Sequence, residues 1–144
     1  TILDEKNGPP PEVNLFNEKN NGECLLNLIE KGYIKSAHDV SLGGLLTAVS
    51  KMCIKGNKGI KLEKTKKLMS DCEYFFSEDQ SRYIIEIDQK DLKEVSKILN
   101  KNSVHHEKLG IIVDKDMIIN EKTKVTIDEL KSYNTNWLTN YMSS

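Results

Sequence analysis

The chain has 144 residues, one domain's worth, with 21 basic and 22 acidic residues and a net charge of -1. Apolar residues make up 38% and charged residues 30%, enough for a core under a soluble surface, with no basic field for a phosphate backbone. No apolar run approaches the roughly 20 residues of a membrane span, and the polar start from Thr1 to Pro11 is unlike a signal peptide, so membrane, secreted and general nucleic-acid classes are disfavoured.

The segment from Thr1 to Asn14 reads as an extended arm, because Pro9, Pro10 and Pro11 favour polyproline geometry. We place a lead-in at 1–15 and a single domain at 16–144. Phe16 to Lys31 is helical by spacing, with Leu25, Leu28 and Ile29 on one stripe and Gly32 at the C-terminal cap. Tyr33 to Ala37 is a short strand and His38 to Ser41 a polar turn. A strong helix follows over Leu42 to Lys55, whose apolar face comprises Leu42, Leu45, Leu46, Val49, Met52 and Cys53.

Ile60 to Glu63 alternates as a strand, and Lys64 to Asp71 is a linker or single helical turn. Tyr74 to Phe76 leads into a polar stretch, then Tyr83 to Ile87 is the clearest strand. Asp88 to Asn102 is an amphipathic helix. Leu109 to Val113 and Met117 to Ile119 are two short strands that read as a hairpin. Thr126 and Glu129 form a capping box for a last helix towards Trp137, which with Leu138 is expected to anchor it in the core. The fold class is α/β (α+β), a mixed β-sheet packed against helices.

Cys24, Cys53 and Cys72 show no metal spacing, and Cys24 and Cys53 read as buried thiols in a reducing compartment. His105 and His106 read as solvated loop residues. Lys64, Lys66 and Lys67 read as a solvated face. Of the 21 basic residues 20 are Lys, beside 13 Asn, so the lone Arg82 stands out as a position that needs a planar fork.

Two segments carry chemistry. Ser36-Ala-His-Asp-Val-Ser-Leu-Gly-Gly-Leu45 runs strand, polar turn, two glycines, helix. Gly43 and Gly44 let backbone approach a ligand, and the helix N-terminus suits phosphate. Asp39 is placed to ligate Mg²⁺ on such a phosphate, and His38 to donate to an oxyanion. The plainer alternative is a structural turn in which Asp39 or Ser41 caps the helix and the glycines permit tight packing against the strand. The second segment is Phe76-Ser-Glu-Asp-Gln-Ser-Arg-Tyr83. Arg82 suits a phosphate or carboxylate, and Glu78 and Gln80 suit a substrate amide or ribose. The alternative is a Glu78–Arg82 pair that holds a loop in place.

These motifs, in this order, resemble the C-terminal domain (second repeat) of the small bacterial form of phosphoribosylformylglycinamidine synthase, the PurL family, within the AIR synthase-related C-terminal domain superfamily. Ser36 to Leu45 resembles its SAHDVSxGGL motif and Phe76 to Arg82 its FxESxSR motif. Gly8 to Leu15 resembles its proline-bearing lead-in, Leu109 to Ile112 its IGxV strand, and the tail around Trp137 also fits. Leu42 and Asp79 depart from the pattern, where Glu or Asp and Ser are usual.

The resemblance implies an AIR synthase C-terminal-domain-like fold. It implies a part in an ATP-dependent carbon–nitrogen ligase of purine biosynthesis that converts formylglycinamide ribonucleotide and glutamine-derived ammonia to formylglycinamidine ribonucleotide. ATP and Mg²⁺ serve the full-length enzyme. The partners implied are the remaining domains of the same chain, a glutaminase subunit (PurQ) and a small subunit (PurS), with no nucleic acid and no membrane, in the cytoplasm. The family's catalytic histidines lie in segments absent here, so no catalytic residue is assigned and the isolated domain is expected to be inactive. The residues expected at an auxiliary nucleotide or phosphate site are His38, Asp39, Ser41, Gly43, Gly44, Glu78, Gln80 and Arg82, with Asp39 towards the metal.

The chain starts with Thr rather than Met and is expected to be a piece of a longer polypeptide, with an apolar patch where its neighbours packed. The alternatives are another enzyme of the superfamily (aminoimidazole ribonucleotide synthetase, selenophosphate synthetase, thiamine-phosphate kinase or a hydrogenase maturation protein) and a non-catalytic nucleotide-binding module. The stretches around Asp39 and Arg82 are expected to form two walls of one anion-holding crevice.

Overall fold

The computed structural model describes residues 12–65 and 68–143. The elements in chain order are α1 (Leu15–Glu30), β1 (Ile34–Asp39), α2 (Gly44–Gly56), β2 (Gly59–Leu62), α3 (Asp71–Phe76), β3 (Tyr83–Ile87), a 3₁₀ turn (Gln89–Asp91), α4 (Leu92–Lys101), β4 (Gly110–Val113), β5 (Asp116–Ile119), β6 (Thr123–Thr126) and α5 (Ile127–Met142). Expectations for the proline arm, for Lys66 and Lys67, and for the side chains of Trp137 and Leu138 lie outside the described residues.

Local chemistry sets the boundaries. Asn14 starts α1, its side-chain oxygen accepting from the Asn17 N–H at 3.0 Å. At the other end the Gly32 and Tyr33 N–H groups donate to the carbonyls of Ile29 and Leu28, closing the helix as its glycine predicts. Helix α3 was not anticipated. It starts at a full capping box: the Glu73 N–H donates to Ser70 Oγ at 3.1 Å, and the Ser70 N–H donates to Glu73 Oε2 at 2.7 Å. The expected box of Thr126 and Glu129 is also formed, with the Glu129 N–H donating to Thr126 Oγ1 at 3.2 Å.

Two sheets form. β1 and β3 pair antiparallel, with Asp39 opposite Tyr83 and Ala37 opposite Ile85. The second sheet has the order β4-β2-β5-β6 and is mixed, β2 lying antiparallel to β4 and parallel to β5. The expected hairpin of β4 with β5 is therefore wrong. β2 is inserted between them, with Gly59 opposite Val113 of β4 and Ile60 opposite Met117 of β5. Gly59 permits this, because a Cβ there would run into the Asp116 backbone.

Strand β3 is apolar on both faces because it lies between two clusters. On one side Ile84 joins Val40, Leu45, Ala48, Val49, Cys53, Leu62, Tyr74, Phe75, Met117 and Ile127. On the other, Ile85 and Ile87 pack against Cys24 and Leu28 of α1 and Val95 and Leu99 of α4. Cys24 and Cys53 are buried as expected, and burial pushes the Cys53 thiol up to about 11.

Two further expectations fail. Leu42 is 80% exposed and precedes α2, because the two glycines delay the helix start to Gly44. Lys64 is not a solvated residue: its ammonium donates to the Met69 carbonyl at 2.8 Å and pairs with Asp71 at 2.6 Å, holding the turn that leads into α3.

Candidate functional site

The pairing of β1 with β3 brings the two polar segments together. Beyond the Asp39–Tyr83 pair the Val40 N–H donates to the Arg82 carbonyl at 2.8 Å, extending the ladder into the turn. The chain then passes Ser41 and Leu42 and reaches Gly43 and Gly44, both at positive φ (84° and 69°). The Gly44 N–H donates to the Ser41 carbonyl at 2.9 Å, and the Gly43 N–H donates to Glu78 Oε1 at 2.7 Å. A Cβ on Gly44 would lie 2.6 to 2.9 Å from backbone atoms of Phe75 and Phe76. The stretches around Asp39 and Arg82 thus lie side by side in the fold.

The internal wiring differs from the simpler alternatives. Neither Asp39 nor Ser41 caps α2 through its side chain; Gly43 occupies the N-cap, and the Glu78 carboxylate lies against its N–H. Gly44 serves close packing, but against the end of α3 rather than against the strand, whereas a Cβ on Gly43 would meet the Thr47 side chain. Glu78 does not pair with Arg82. The Arg82 guanidinium folds back on its own loop, Nη2 donating to the Ser77 carbonyl and, at 3.2 Å, to Ser77 Oγ, with Asp79 at 4.0 Å. The Ser77 hydroxyl donates to Asp79 Oδ2 at 3.0 Å. Asp79, a departure from the motif, thereby holds the loop.

Of the remaining site residues, Asp39 is exposed, its side chain 63% accessible, and His38 is half-buried. His38 Nδ1 lies 2.6 Å from the Asp39 carbonyl oxygen and 3.5 Å from its carboxylate. Ser41, Glu78 and Gln80 are exposed on the same two walls.

Helix α1 supplies residues that the sequence reading missed. Glu18 accepts from the Ser81 hydroxyl and from the Tyr83 hydroxyl, both at 2.6 Å. The Asn21 amide donates to the Ser81 carbonyl at 2.9 Å. These bonds hold Ser81 at φ +64°, a conformation unusual for a residue with a Cβ. The Ser81 and Tyr83 hydrogen bonds hold the Glu18 carboxyl below the usual carboxylate range. The Tyr83 hydroxyl's bond to Glu18, with desolvation next, raises the Tyr83 phenol. Glu18 lies 63 residues from Ser81 in sequence, so no local spacing reveals the contact.

Asp39, Glu78 and Asp79 expose carboxylates here, and among the described residues no group of three or more His, Cys, Asp or Glu side chains is arranged to hold a metal. Side chains alone would therefore supply a hard cation with few of the about six oxygens it takes. Among the described residues no helix is long and apolar enough to cross a membrane.

A family model described as AIR synthase related protein, C-terminal domain, matches residues 1–120. The phosphoribosylformylglycinamidine synthase subunit PurL of Pelagibacter ubique is 62% identical over 99% of the chain, a match that spans 20% of that protein. Among solved structures, Thermotoga maritima PurL complexed with FGAR matches 89% of this chain and 23% of its own, with a TM-score of 0.77 at 21% identity. The structure of PurLQS from Thermotoga maritima matches 89% and 23%, with a TM-score of 0.72 at 22% identity. The chain spans about one fifth of the length of the curated relatives it matches.

Proposed function

The chain belongs to the AIR synthase related protein, C-terminal domain family, and from that membership we propose that it supplies the second C-terminal domain of a PurL-type phosphoribosylformylglycinamidine synthase subunit. Residues 16–144 are its single domain and 1–15 its lead-in. The full-length protein converts formylglycinamide ribonucleotide and glutamine-derived ammonia to formylglycinamidine ribonucleotide in the cytoplasm, assembled with a glutaminase subunit and a small subunit. The observation that carries this reading is the 62% identity to a PurL subunit over 99% of the chain.

The crevice suits an auxiliary nucleotide. Asp39 offers a carboxylate oxygen to Mg²⁺, and His38 and Ser41 offer polar contacts at the rim. Gly43 and Gly44 start α2, where a phosphate would take the place of the Glu78 carboxylate on the Gly43 N–H. Glu78 and Gln80 flank it from the facing loop, and Arg82 keeps that loop in shape through Ser77 and Asp79. ATP with Mg²⁺ supplies phosphoryl activation of the amide oxygen in the full-length enzyme. This chain's own residues bind and orient, and none of them is assigned a covalent role.

The test is ATP-dependent amidine formation from formylglycinamide ribonucleotide and ammonia. The full-length polypeptide is expected to turn over, and the domain alone is not. Loss of the gene should impose a purine requirement. A selenium, thiamine or hydrogenase defect in its place would move the chain to another branch of the superfamily, and turnover by the domain alone would overturn the assignment.

A further inference from the structure

Between Ser77 and Arg82 only Ser81 has a positive φ, at +64°. A residue with a Cβ disfavours that conformation, so it persists where neighbouring groups hold it. Two residues of α1 do so, one turn apart on the same face of the helix. Both oxygens of the Glu18 carboxylate are engaged, one by the Ser81 hydroxyl and one by the Tyr83 hydroxyl, each at 2.6 Å. The Asn21 amide donates to the Ser81 carbonyl at 2.9 Å. Further along, this face buries Cys24 and Leu28 against α4 and β3. Its apolar half anchors the helix, and its polar half grips Ser81.

Ser81 lies inside a closed ring. The Arg82 guanidinium donates to the Ser77 carbonyl, so the loop from Ser77 to Arg82 is joined end to end. Both ends are also tied to the fold: the Ser77 N–H donates to the Glu73 carbonyl of α3 at 3.3 Å, and the Arg82 carbonyl accepts from the Val40 N–H at 2.8 Å. In a ring fixed at its ends, one backbone torsion cannot change without redirecting the residues between. Among those residues is Glu78, whose Oε1 accepts from the Gly43 N–H at 2.7 Å. The conformation of Ser81 and the place of the Glu78 carboxylate are therefore mechanically linked.

We propose that Glu18 and Asn21 are positioning residues for Glu78: by holding Ser81 left-handed they keep the Glu78 carboxylate on the Gly43 N–H, and so set how readily a phosphate takes that place. Neither residue contacts the ligand; both act through Ser81. The inference rests on the nucleotide reading only for the phosphate, since the place of Glu78 is a property of the protein without ligand. Without the grip of α1, Ser81 relaxes towards an ordinary backbone conformation and Glu78 leaves the α2 N-terminus. The Gly43 N–H is then open to an anion without an exchange of partners.

The test is amide exchange of the full-length polypeptide carrying Glu18→Ala, with Asn21→Ala as the second variant. Lys19→Ala, which breaks the exposed pair with Glu23 on the same helix, is the control. Slow labelling of buried Cys24 by N-ethylmaleimide reports that α1 is still docked; where Glu18→Ala loses it, Asn21→Ala decides. Exchange at Gly43 is expected to quicken about threefold to tenfold in both variants, the worth of its bond to Glu78, and to stay unchanged in the control. The ATP concentration that protects the Ser41–Leu46 amides is expected to fall by about twofold or more. In a Glu78→Ala background Glu18→Ala should change that concentration no further, because the carboxylate it acts through is gone. An unchanged Gly43 beside a slow Cys24 overturns the proposal. So does an effect on ATP that persists undiminished without Glu78. If Gly43 quickens but ATP protects no form of the protein, the positioning of Glu78 stands and the nucleotide reading falls; if ATP protects the wild type and Gly43 is unmoved, the reverse holds.

Discussion

Gly44→Ala tests whether the glycine pair is needed for the crevice to close. Gly44 has φ +69°, where an alanine costs about 1 kcal/mol relative to glycine. The new Cβ would also lie 2.6 Å from the Phe76 carbonyl carbon and 2.7 Å from its Cα, backbone atoms that cannot rotate away. Moving α2 off the end of α3 adds an overpacking cost of about 1 to 3 kcal/mol. The expected loss is about 2 to 4 kcal/mol for the α2–α3 unit. It is read from urea-dependent hydrogen exchange of the α2 amides in the full-length polypeptide, which isolates the local unit from the rest of the molecule. Gly56→Ala is the control: it ends the same helix, a Cβ there meets nothing within 4 Å, and it is expected to be neutral or to stabilise by up to about 1 kcal/mol. If Gly44→Ala matched Gly56→Ala, the close approach of Phe76 would not be what selects the glycine.

Leu28→Ala should cost about 2 to 5 kcal/mol by emptying a site that is 1% exposed between α1, α4 and β3, measured as loss of exchange protection in α1 and α4. Because the folded Glu18 carboxyl titrates below its ordinary 4.5, the tie between α1 and Ser81 is complete above that pH. It is lost as pH falls through the lower folded value; amide exchange at Ser81 and Arg82 should follow that titration, and Glu18→Gln should abolish the dependence. Cys53, with its thiol pushed up to about 11 and buried, should resist maleimide at pH 8 while half-buried Cys72 reacts first; peptide mapping decides the order. Glu78→Ala frees the Gly43 N–H and removes a negative charge from the α2 N-terminus, so ATP should protect the Ser41–Leu46 amides at about threefold to tenfold lower concentration, the worth of one hydrogen bond. An unchanged or higher concentration would mean that Glu78 itself contacts the ligand.

Much of the architecture was legible because each main helix and strand carries its own local signal. The apolar stripe of α2, the β-branched run of β3 and the Thr126–Glu129 box each predict their element. The failures share a different cause. Ser70 and Glu73 did carry a capping-box signal for α3, but the lysine-rich stretch before them and only six residues of helix gave no periodicity to confirm it. Strand β6 has only Val125 as a large apolar residue, so its pairing with β5 is decided by the neighbouring strand. The insertion of β2 between β4 and β5 is a long-range choice that two short strands and a turn cannot encode locally. Within the site, the residue types and their convergence were readable; the partners of Glu78, Arg82 and Ser81 were not, because each depends on which wall the pleat presents to the other.

The position of Glu78 changes what the glycine turn means. A helix N-terminus attracts an anion wherever its N–H groups are accessible. Here the protein's own carboxylate is 2.7 Å from the first of them, and the Gly44 N–H is spent on Ser41. Under the proposed reading, a phosphate therefore arrives in exchange with Glu78, whose carboxylate turns away from the helix end. A ligand without a phosphate gains nothing from that exchange, because it leaves Gly43 and Glu78 both unpaired. The Glu78 contact thus favours anionic ligands that can replace a carboxylate and disfavours neutral ones. Arg82, tied back to Ser77 and Asp79, keeps the loop in register while Glu78 swings.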